Sequence, residues 1–584
     1  MNDDREQKQI ITRVEDLTRQ RKKIFSLSSE QALDAILDSP QPAALVHSFS
    51  EEDFYFSIHD IGLEDSYQLL TLASDRQWEY IVDLETWEKD RIELTSVTRW
   101  FGLLFNADPN RFIRWFFEQK TEFVEFYLYK NIEVKIRETD QDPSDFGDEF
   151  FTYDDTFYIR FIDGSFDVSS DENGSDKDIK AQREAFLLKF LEMLSAFDHV
   201  AFQNVLMESS SVIPAETEEE EYRLRSKRLA EKGFLPYEEA IGIYQPLTVK
   251  NLKKESPKFT TNDPERKLFL PLPIYPTGMI EGDHLFAGAL KRIDIDDILE
   301  QVQIEFAGLC NRIVAADQET IREREELKHI VQKACGYINI GLEGLIEHDG
   351  VFDVNRCSGL IQKYSLTSIF KVGYGHALDL KWRAERWRKK SWFEQEGLLI
   401  SFWGEEWLGV LGGLLLKKPM FYDNYKTGVL YREFISMEDI RKTEKVLNEI
   451  MAFDDLLSKM AITPEPIIDG FLTYKNLMLT TWARHHLGLK KERLTLSVGE
   501  LKRFFDDLWE LEDPPRHIRL FMKEKLLTFL SDQTGQSNED ISQKLGYSLE
   551  NLFNELESEY GGIERKDLDS KYIHLFLIDA SMSK

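Results

Sequence analysis

Short runs of apolar residues at helical spacing follow one another through the first part of the chain, and each run is bounded by a capping or turn residue. Ser28 and Gln31 form a capping-box pattern ahead of ALDAILD, and Pro42 occupies the first-turn position ahead of AALVHSF. Ser50 opens EEDFYFSIHDI, which Gly62 closes. The starts fall about a dozen residues apart, so the pattern predicts successive helices of roughly three turns each.

These predicted helices are too short to be stable alone in water, because the free-energy cost of nucleating a helix exceeds the stabilisation that three turns of hydrogen bonds provide. Neighbouring helices must therefore cover their apolar positions. The expected inner seam consists of Leu33, Ile36, Leu37, Leu45, Val46, Phe54, Ile58, Ile61, Leu69, Leu70, Trp78 and Ile81. The pattern thus predicts a mainly α fold that begins with a superhelical, solenoid-like array of short helices.

The rest of the chain is also mainly helical in pattern, with two interruptions. EVKIRE and TFYIRFI indicate the two strands of a minor β hairpin within an acidic insertion, and seven prolines between residues 236 and 276 indicate an extended connector. The predicted organisation is a charged N-terminal helix or tail (1–25), the short-helix array (26–132), the acidic hairpin insertion (133–178), a helical segment (179–234), the proline-rich connector (235–280), a helical domain with a basic, tryptophan-rich segment (281–420) and a C-terminal helical domain (421–584).

Two resemblances accompany this pattern. The segment LDSPQPAALVHSFSEEDFYFSIHDIGLEDSYQLLTLAS resembles the short-helix superhelix in the intracellular N-domain of MgtE-type magnesium transporters, over residues 26–135. That resemblance implies a cation-sensing, partner-facing module, although the sequence shows no transporter pore. Over most of its length the chain also resembles an uncharacterised family of bacterial proteins with a domain of unknown function, through QALDAILDSPQPAALVHSF, DRQWEYIVDLETWEKDRI, GFLPYEEAIGIYQPL and GHALDLKWRAERW. This family has no assigned activity, so the resemblance carries no functional residue to this chain.

The charge of the chain limits its partners. Lysine and arginine total 73 against 106 acidic residues, which gives a formal net charge of -33. Such a surface repels nucleic acid and anionic lipid unless a basic patch is concentrated locally. We therefore expect no nucleic-acid partner, and an unknown protein partner or self-association instead.

Cysteine usage and hydropathy indicate a cytoplasmic protein. Only Cys310, Cys335 and Cys357 occur, which suits a reducing compartment, and the charged N-terminus lacks the apolar core of a secretory signal. The longest apolar stretch, residues 398–416, contains Glu405, Glu406 and four glycines. A buried helix pair or a core hairpin therefore fits this stretch better than a membrane span, and we expect no membrane insertion.

The acidic insertion is one candidate binding region. It contains Asp140, Asp142, Asp145, Asp148, Glu149, Asp154, Asp155, Asp167, Asp171, Glu172, Asp176 and Asp178, which offer enough oxygen ligands for Ca²⁺ or Mg²⁺. A calcium-loop alignment on Gly174 fails, because it places Lys180 where a bidentate glutamate belongs. A solvated acidic loop is therefore favoured and no cofactor is predicted, with Mg²⁺ bound through Asp171 and Asp176 as the alternative.

The second candidate is the basic, tryptophan-rich segment. Lys381, Arg383, Arg386, Trp387, Arg388, Lys389 and Lys390 stand together, with Trp382 and Trp392 among them. Cations mixed with aromatic rings can hold a phosphate, a nucleotide or an acidic protein segment. The alternative, which we favour, is that the acidic excess of the chain pairs with these cations internally.

The remaining sequence signals favour a structural interpretation. Gly373 and Gly375 begin a dinucleotide fingerprint, but Leu378 occupies its third position, so a turn between helices is expected there. His485 and His486 point about 100 degrees apart on a helix and cannot chelate one metal ion. No phosphate loop, nucleophile elbow or zinc motif is present. We therefore predict an α-helical scaffold or regulatory protein-interaction module. The alternatives are an enzyme or phosphorylated-ligand-binding protein that uses residues 381–392, and a divalent-cation sensor.

Overall fold

A computed structural model of the chain describes residues 13, 16–21, 23–25, 27–88, 90–162, 175–232, 234–253, 280, 284–319, 321, 324–347, 353–460, 472–489, 494–510 and 515–579. The fold is mainly α, as predicted, with only short antiparallel strands in the described residues. It divides into two compact units, each made of non-consecutive stretches. The first unit takes residues 1–245, 251–338 and 350–370, and the second takes residues 246–250, 339–349 and 371–584.

The first unit begins with the predicted series of short helices. These are α1 (Ser29–Leu37), α2 (Pro42–His47), α3 (Glu51–Ile61), α4 (Tyr67–Leu72), α5 (Asp75–Glu85), α6 (Leu94–Ala107), α7 (Pro109–Gln119) and α8 (Thr121–Asn131), with a small hairpin of β1 (Trp87–Glu88) and β2 (Arg91–Ile92) between α5 and α6. Pro42 starts α2, and Gly62 ends α3 with a φ of 100°, which the absence of a side chain allows. The Ser28 side chain makes no capping bond, whereas Ser74 and Gln77 form a capping box ahead of α5.

The short helices cover one another as the sequence requires. Helices α1 to α4 each contact the helix two positions later, and adjacent helices from α5 to α8 contact in turn. Most of the predicted seam is buried: Ile36, Leu45, Val46, Phe54, Ile58, Leu69, Leu70, Trp78 and Ile81. Leu33, Leu37 and Ile61 are only half-buried.

The predicted hairpin insertion is a three-stranded antiparallel sheet. Strand β3 (Ile132–Ile136) pairs with β5 (Phe157–Phe161), and β4 (Phe151–Thr152) pairs with the other edge of β5. The two predicted strands are therefore confirmed. The third strand has only two residues, too short for alternating hydrophobicity to reveal it.

Three helices follow and pack on the short-helix array. They are α9 (Ser175–Phe197), α10 (His199–Ser209) and α11 (Pro214–Glu231). Phe186 and Phe190 on α9 lie among the rings of Phe101, Phe105 and Phe112, with centroids 5.7 to 6.4 Å apart. Phe186 and Phe190 thus complete an aromatic cluster that covers the array.

The proline-rich segment predicted to be extended is helical where it begins. Helix α12 (Tyr237–Ala240) and a 3-10 turn at Ile241–Tyr244 place Ala240 and Ile243 in the core. The burial of these two side chains against the next long helix explains why proline content alone misjudged this part. Residues 254–279 lie outside the described residues.

The other helices of the first unit are α13 (Leu285–Leu290), α14 (Asp296–Asp317), α15 (Arg324–Glu347) and α16 (Val354–Lys363), and the last part of α15 belongs to the second unit. Helices α14 and α15 are long, with 22 and 24 residues. Cys310, Cys335 and Cys357 are all buried and lie outside any disulfide, and burial raises the pKa of Cys335 to about 12.

The second unit contains most of α17 (Leu366–Arg388), which starts in the first unit, followed by α18 (Trp392–Gln395), α19 (Gly404–Leu415), the hairpin of β6 (Phe421–Tyr422) and β7 (Tyr431–Arg432), α20 (Met437–Lys459), α21 (Tyr474–His486), α22 (Val498–Leu508), α23 (Leu520–Thr534) and α24 (Asn538–Tyr560). Its core is strongly aromatic. Trp407 stacks on Tyr474 with centroids 4.3 Å apart, and Phe453 lies 5.2 Å from the same tyrosine ring.

The apolar stretch at residues 398–416 is a buried helix, α19, followed by a hairpin. Gly409, Gly412 and Gly413 form one face of α19, and a methyl group on any of them would lie within 2.7 Å of an atom of the hairpin. The glycines therefore let the hairpin lie directly on the helix backbone. Across the described chain, no helix has both the length and the apolar content to cross a bilayer.

Candidate functional site

The basic, tryptophan-rich segment lies at the C-terminal end of α17, where part of it is engaged by the protein itself. The Lys381 amino group donates to the carbonyl of Leu416 at 2.5 Å and lies 3.1 Å from Glu385. The Arg383 guanidinium donates to Glu444 at 2.5 Å and to Asn448 at 2.7 Å, both on α20. These two cations therefore hold α17 against neighbouring elements of the second unit.

Trp387 is also a structural residue. Its indole N–H donates to the Asp454 carboxylate at 3.1 Å, and the same carboxylate accepts the backbone N–H groups of Trp392 and Phe393 at 3.2 and 2.9 Å. Burial raises the pKa of Asp454, although these three donors oppose that rise. The carboxylate thus ties α20 to both α17 and the start of α18.

The opposite side of the helix end is open. Trp382, Arg386, Lys389 and Lys390 are all exposed, Trp382 to 43%. Trp382 and Arg386 are separated by four residues and share one side of α17, whereas Arg383 and Trp387 share another. Lys389 and Lys390 follow directly after the end of this helix. We call Trp382, Arg386, Lys389 and Lys390 the basic face.

Arg386 and Arg388 are the other two arginines of the segment. Arg386 is exposed and donates from Nε to the carbonyl of Trp382 at 3.1 Å. Arg388 pairs with Glu394 at 2.8 Å on the surface. The predicted residues therefore divide into an engaged set (Lys381, Arg383, Trp387 and Arg388) and an exposed set of three cations beside Trp382.

The acidic insertion shows arginine pairing where it is described. Arg137 pairs with Asp155 at 2.5 Å, and Arg160 pairs with Glu149 at 2.7 Å and with Glu133. Hydrogen bonds from Tyr158 and then Arg137 lower the pKa of Asp155. These carboxylates are thus partly neutralised by neighbouring arginines.

Of the two residues predicted for Mg²⁺, Asp171 lies outside the described residues. The backbone of Asp176 belongs to α9, but its side chain also lies outside them. In the part of the chain that the structure describes, no group of three or more His, Cys, Asp or Glu side chains has an arrangement suited to a metal ion.

A surface cleft of about 940 Å³ lies beside this sheet in the first unit. Its lining residues include Tyr129, Lys130, Glu133, Glu149, Arg160, Lys180, Glu184, Ser209 and Ser210. Both signs of charge occur, and the central Arg160 is occupied by Glu133 and Glu149. The cleft therefore has no predominant sign of charge that would select a charged ligand.

A buried polar centre in the short-helix array was not foreseen from the sequence. The Glu85 carboxylate accepts the Tyr55 hydroxyl at 2.5 Å and the Trp100 indole N–H at 3.2 Å, and His59 Nε2 lies 3.4 Å away. These groups come from α3, α5 and α6. No local motif joins residues 30 positions apart, so sequence spacing offered no signal for them.

A second polar network joins the charged helix α11 to the array. Arg228 forms two hydrogen bonds of 2.7 Å with the Asp83 carboxylate, and Arg225 donates to the Asp83 carbonyl at 2.6 Å. The buried amino group of Lys120 lies 3.8 Å from the same carboxylate. Helix α11 is therefore anchored at its inner side to a buried carboxylate that also lies near Lys120.

Glu125 on α8 has a raised pKa. Burial, together with the nearby carboxylates of Glu208 and Glu122, raises the pKa of Glu125 to about 7. A carboxyl group with that pKa is partly protonated at neutral pH. A change of pH near neutrality therefore changes the charge of this side chain.

The glycine and histidine signals have structural explanations. Gly373 and Gly375 lie inside the continuous helix α17, so the predicted turn is wrong; Gly375 lets the segment at Pro246 approach, because a methyl group there would lie 3.3 Å from the proline ring. His486 pairs with Asp507 at 2.9 Å, and the His485 ring lies 4.6 Å from that of Phe529. The two histidines thus have separate partners.

Comparison with known proteins identifies the family but no activity. None of the curated proteins and none of the solved structures matches the chain. A family of unknown function, DUF6178, matches residues 8–579, which is most of the chain and includes both units. The chain therefore belongs to the family of unknown function DUF6178.

Proposed function

We propose that the protein is a cytoplasmic α-helical scaffold or regulatory protein, and that it binds an acidic segment of a protein partner on the basic face. The observation that carries the proposal is the division of the basic segment. Lys381, Arg383 and Trp387 are engaged internally, whereas Trp382, Arg386, Lys389 and Lys390 are exposed together.

The charge of the whole chain strengthens this argument. With a net charge of -33, exposed cations have many carboxylates that could pair with them, yet these three stay at the surface beside an exposed indole ring. At physiological ionic strength charges act over about 8 Å, so the local sign of a surface decides what it attracts. Tryptophan and arginine are also the residues that most often dominate binding energy at protein interfaces.

A charge-reversal comparison tests the proposal. The variant combines Arg386→Glu, Lys389→Glu and Lys390→Glu, and the control combines Lys525→Glu, Lys544→Glu and Lys571→Glu, which are exposed elsewhere in the same unit. Both variants change the charge equally. Affinity capture from native lysate should retain one defined partner with the wild type and the control, and lose it with the first variant.

Trp382→Ala should weaken binding of the same partner about 30-fold or more, since a central tryptophan contributes roughly 2 kcal/mol or more to the binding free energy. Equal capture by the two triple variants would refute the proposal.

The second candidate is binding of a phosphorylated small molecule on the same face, and the clustered cations favour it. Calorimetry with a panel of nucleotides and sugar phosphates separates the two. Saturable heat that the first triple variant abolishes, without any captured protein, would support the second candidate. Absence of heat across the panel would reject it.

A further inference from the structure

A second surface of the same unit, the hairpin that follows α19, combines cations and exposed apolar side chains. Residues 407–432 contain a single acidic residue, Asp423, against Lys417, Lys418, Lys426 and Arg432, in a chain where acidic residues greatly outnumber basic ones. At the tip, Tyr425 is 64% exposed, Val429 45% and Leu430 38%. Apolar side chains exposed together on a soluble surface mark interaction sites.

The tip is held rigidly by the strands beneath it. Asp423 is buried and accepts the backbone N–H and the hydroxyl of Thr427 at 2.6 and 2.9 Å, together with Arg432 Nε at 3.0 Å. Arg432 also forms two hydrogen bonds of 2.8 and 3.0 Å with Asp439 at the start of α20. The loop between the strands is therefore anchored to the body of the unit through one carboxylate and one guanidinium.

The backbone at the tip is strained at an aromatic residue. Asn424 and Tyr425 have φ values of 52° and 60°, in the left-handed region that bulky side chains disfavour. The Tyr425 N–H donates to the Val429 carbonyl at 3.0 Å, which holds this conformation while the ring stays in solvent. Strained backbone of this kind persists where the surrounding structure imposes it, and such sites are concentrated at ligand clamps and switch regions.

We propose that the hairpin tip, residues 424–430, docks into an apolar depression bordered by carboxylates on a partner protein. The ring of Tyr425 and the side chains of Val429 and Leu430 fill the depression, and Lys426 faces its acidic border. A rigid tip loses little conformational entropy on docking, which favours a preformed pocket. The inference is independent of the basic face, because it rests on different residues and on the hairpin geometry.

A protein partner fits these features better than a lipid surface. The tip offers only three apolar side chains, and the acidic excess of the chain opposes approach to an anionic bilayer. Tyrosine is one of the residues enriched at interface hot spots, and protein interfaces commonly combine an apolar centre with a polar rim. The occupant we infer is therefore a folded protein whose pocket is apolar at its centre and acidic at its edge.

Site-directed photo-crosslinking of the full chain in its native cells tests the proposal. The probe is Tyr425→p-benzoylphenylalanine, and the matched control is Tyr572→p-benzoylphenylalanine, since Tyr572 is another tyrosine at 77% exposure in the same unit. We expect one adduct with a second protein at position 425, about tenfold stronger than at position 572. The crosslinked peptide of that protein should carry Asp or Glu beside its attachment point.

Two further variants show whether the adduct depends on the tip chemistry. Val429→Asp and Lys426→Glu change exposed side chains, so circular dichroism should show unchanged helix content. Each should reduce the adduct about tenfold. The proposal is overturned if position 425 gives no adduct above that at 572, if neither variant reduces it, or if the adduct is a lipid or a second copy of this chain.

Discussion

Replacing Gly413 by alanine tests how the hairpin is seated on α19. A methyl group at Gly413 would lie 2.5 Å from the carbonyl oxygen of Met420 and 3.1 Å from the ring of Tyr431. The ring can rotate, but the carbonyl belongs to the backbone, and the Met420 N–H itself donates to the Gly413 carbonyl at 3.0 Å. The added methyl therefore forces the helix and the hairpin apart.

The magnitude follows from comparison with a second glycine. Gly546 also lies inside a helix, α24, and a methyl group there would meet no atom within 4 Å. Gly546→Ala should stabilise the unit by about 1 kcal/mol, because alanine is a better helix former than glycine. Gly413→Ala gains the same stabilisation from the higher helix propensity of alanine, but it overpacks a close contact, which costs about 1 to 3 kcal/mol. The difference between the two variants isolates the cost of the collision.

Peptide-level hydrogen exchange is the most direct assay, because a chain with two units need not unfold in one step. We expect faster exchange over residues 404–432 in Gly413→Ala, and slower exchange over residues 538–560 in Gly546→Ala. In urea unfolding, Gly546→Ala should have a higher free energy of unfolding than the wild type. Gly413→Ala should have a lower free energy of unfolding than Gly546→Ala. If Gly413→Ala is as stabilising as Gly546→Ala, the hairpin does not rest on the glycine face.

Three other substitutions test buried ionisable groups. The folded pKa of Glu125, about 7, exceeds its unfolded value, so the stabilising contribution of its proton is complete below about pH 4.5 and disappears as the pH rises through 7. Glu125→Gln should therefore raise the free energy of unfolding at pH 8 by about 1 to 2 kcal/mol after solvent screening, and should have little effect at pH 4.5. An equal effect at both values would contradict this. Asp83→Ala leaves the Glu79 carboxylate, 3.3 Å from both Lys120 and Arg228, as their remaining shared partner, so the substitution should lower the free energy of unfolding in urea by about 1 to 3 kcal/mol. A cost below about 0.5 kcal/mol would show that the hydrogen bonds to Asp83 contribute little. Asp454→Ala removes the acceptor of three donors and should cost about 2 to 4 kcal/mol, with a red-shifted or quenched tryptophan emission; an unchanged spectrum would be evidence against the bond to the indole.

The local elements could largely be predicted, because short-range rules decide them. Pro42 and Gly62 bound their helices as expected, and the two strands around the acidic loop follow from alternation in EVKIRE and TFYIRFI. The failures are also informative. Ser28 has the sequence of a capping box without its hydrogen bond, and Gly375 lies inside a helix, at a point where the segment at Pro246 approaches it closely.

The sites depended on partners far away in sequence. Spacing along α17 showed that Trp382 and Arg386 share one side and Arg383 and Trp387 another, but not which side faces the protein. That choice depends on Glu444 on α20, 61 residues from Arg383 along the chain. The same holds for the anchoring of α11, whose Arg228 bonds to the Asp83 carboxylate 145 positions earlier.

The sequence by itself determined that this protein is mainly helical, that its short helices must cover one another, and where most of them begin and end. These properties follow from helix periodicity, caps and the cost of isolated short helices, all of which act within a few residues. The tertiary structure alone decided which charges are engaged, which remain exposed on the basic face, and that the hairpin tip presents a strained tyrosine. Pairing and burial depend on distances between residues that the chain brings together only when it folds, so no local pattern contains them.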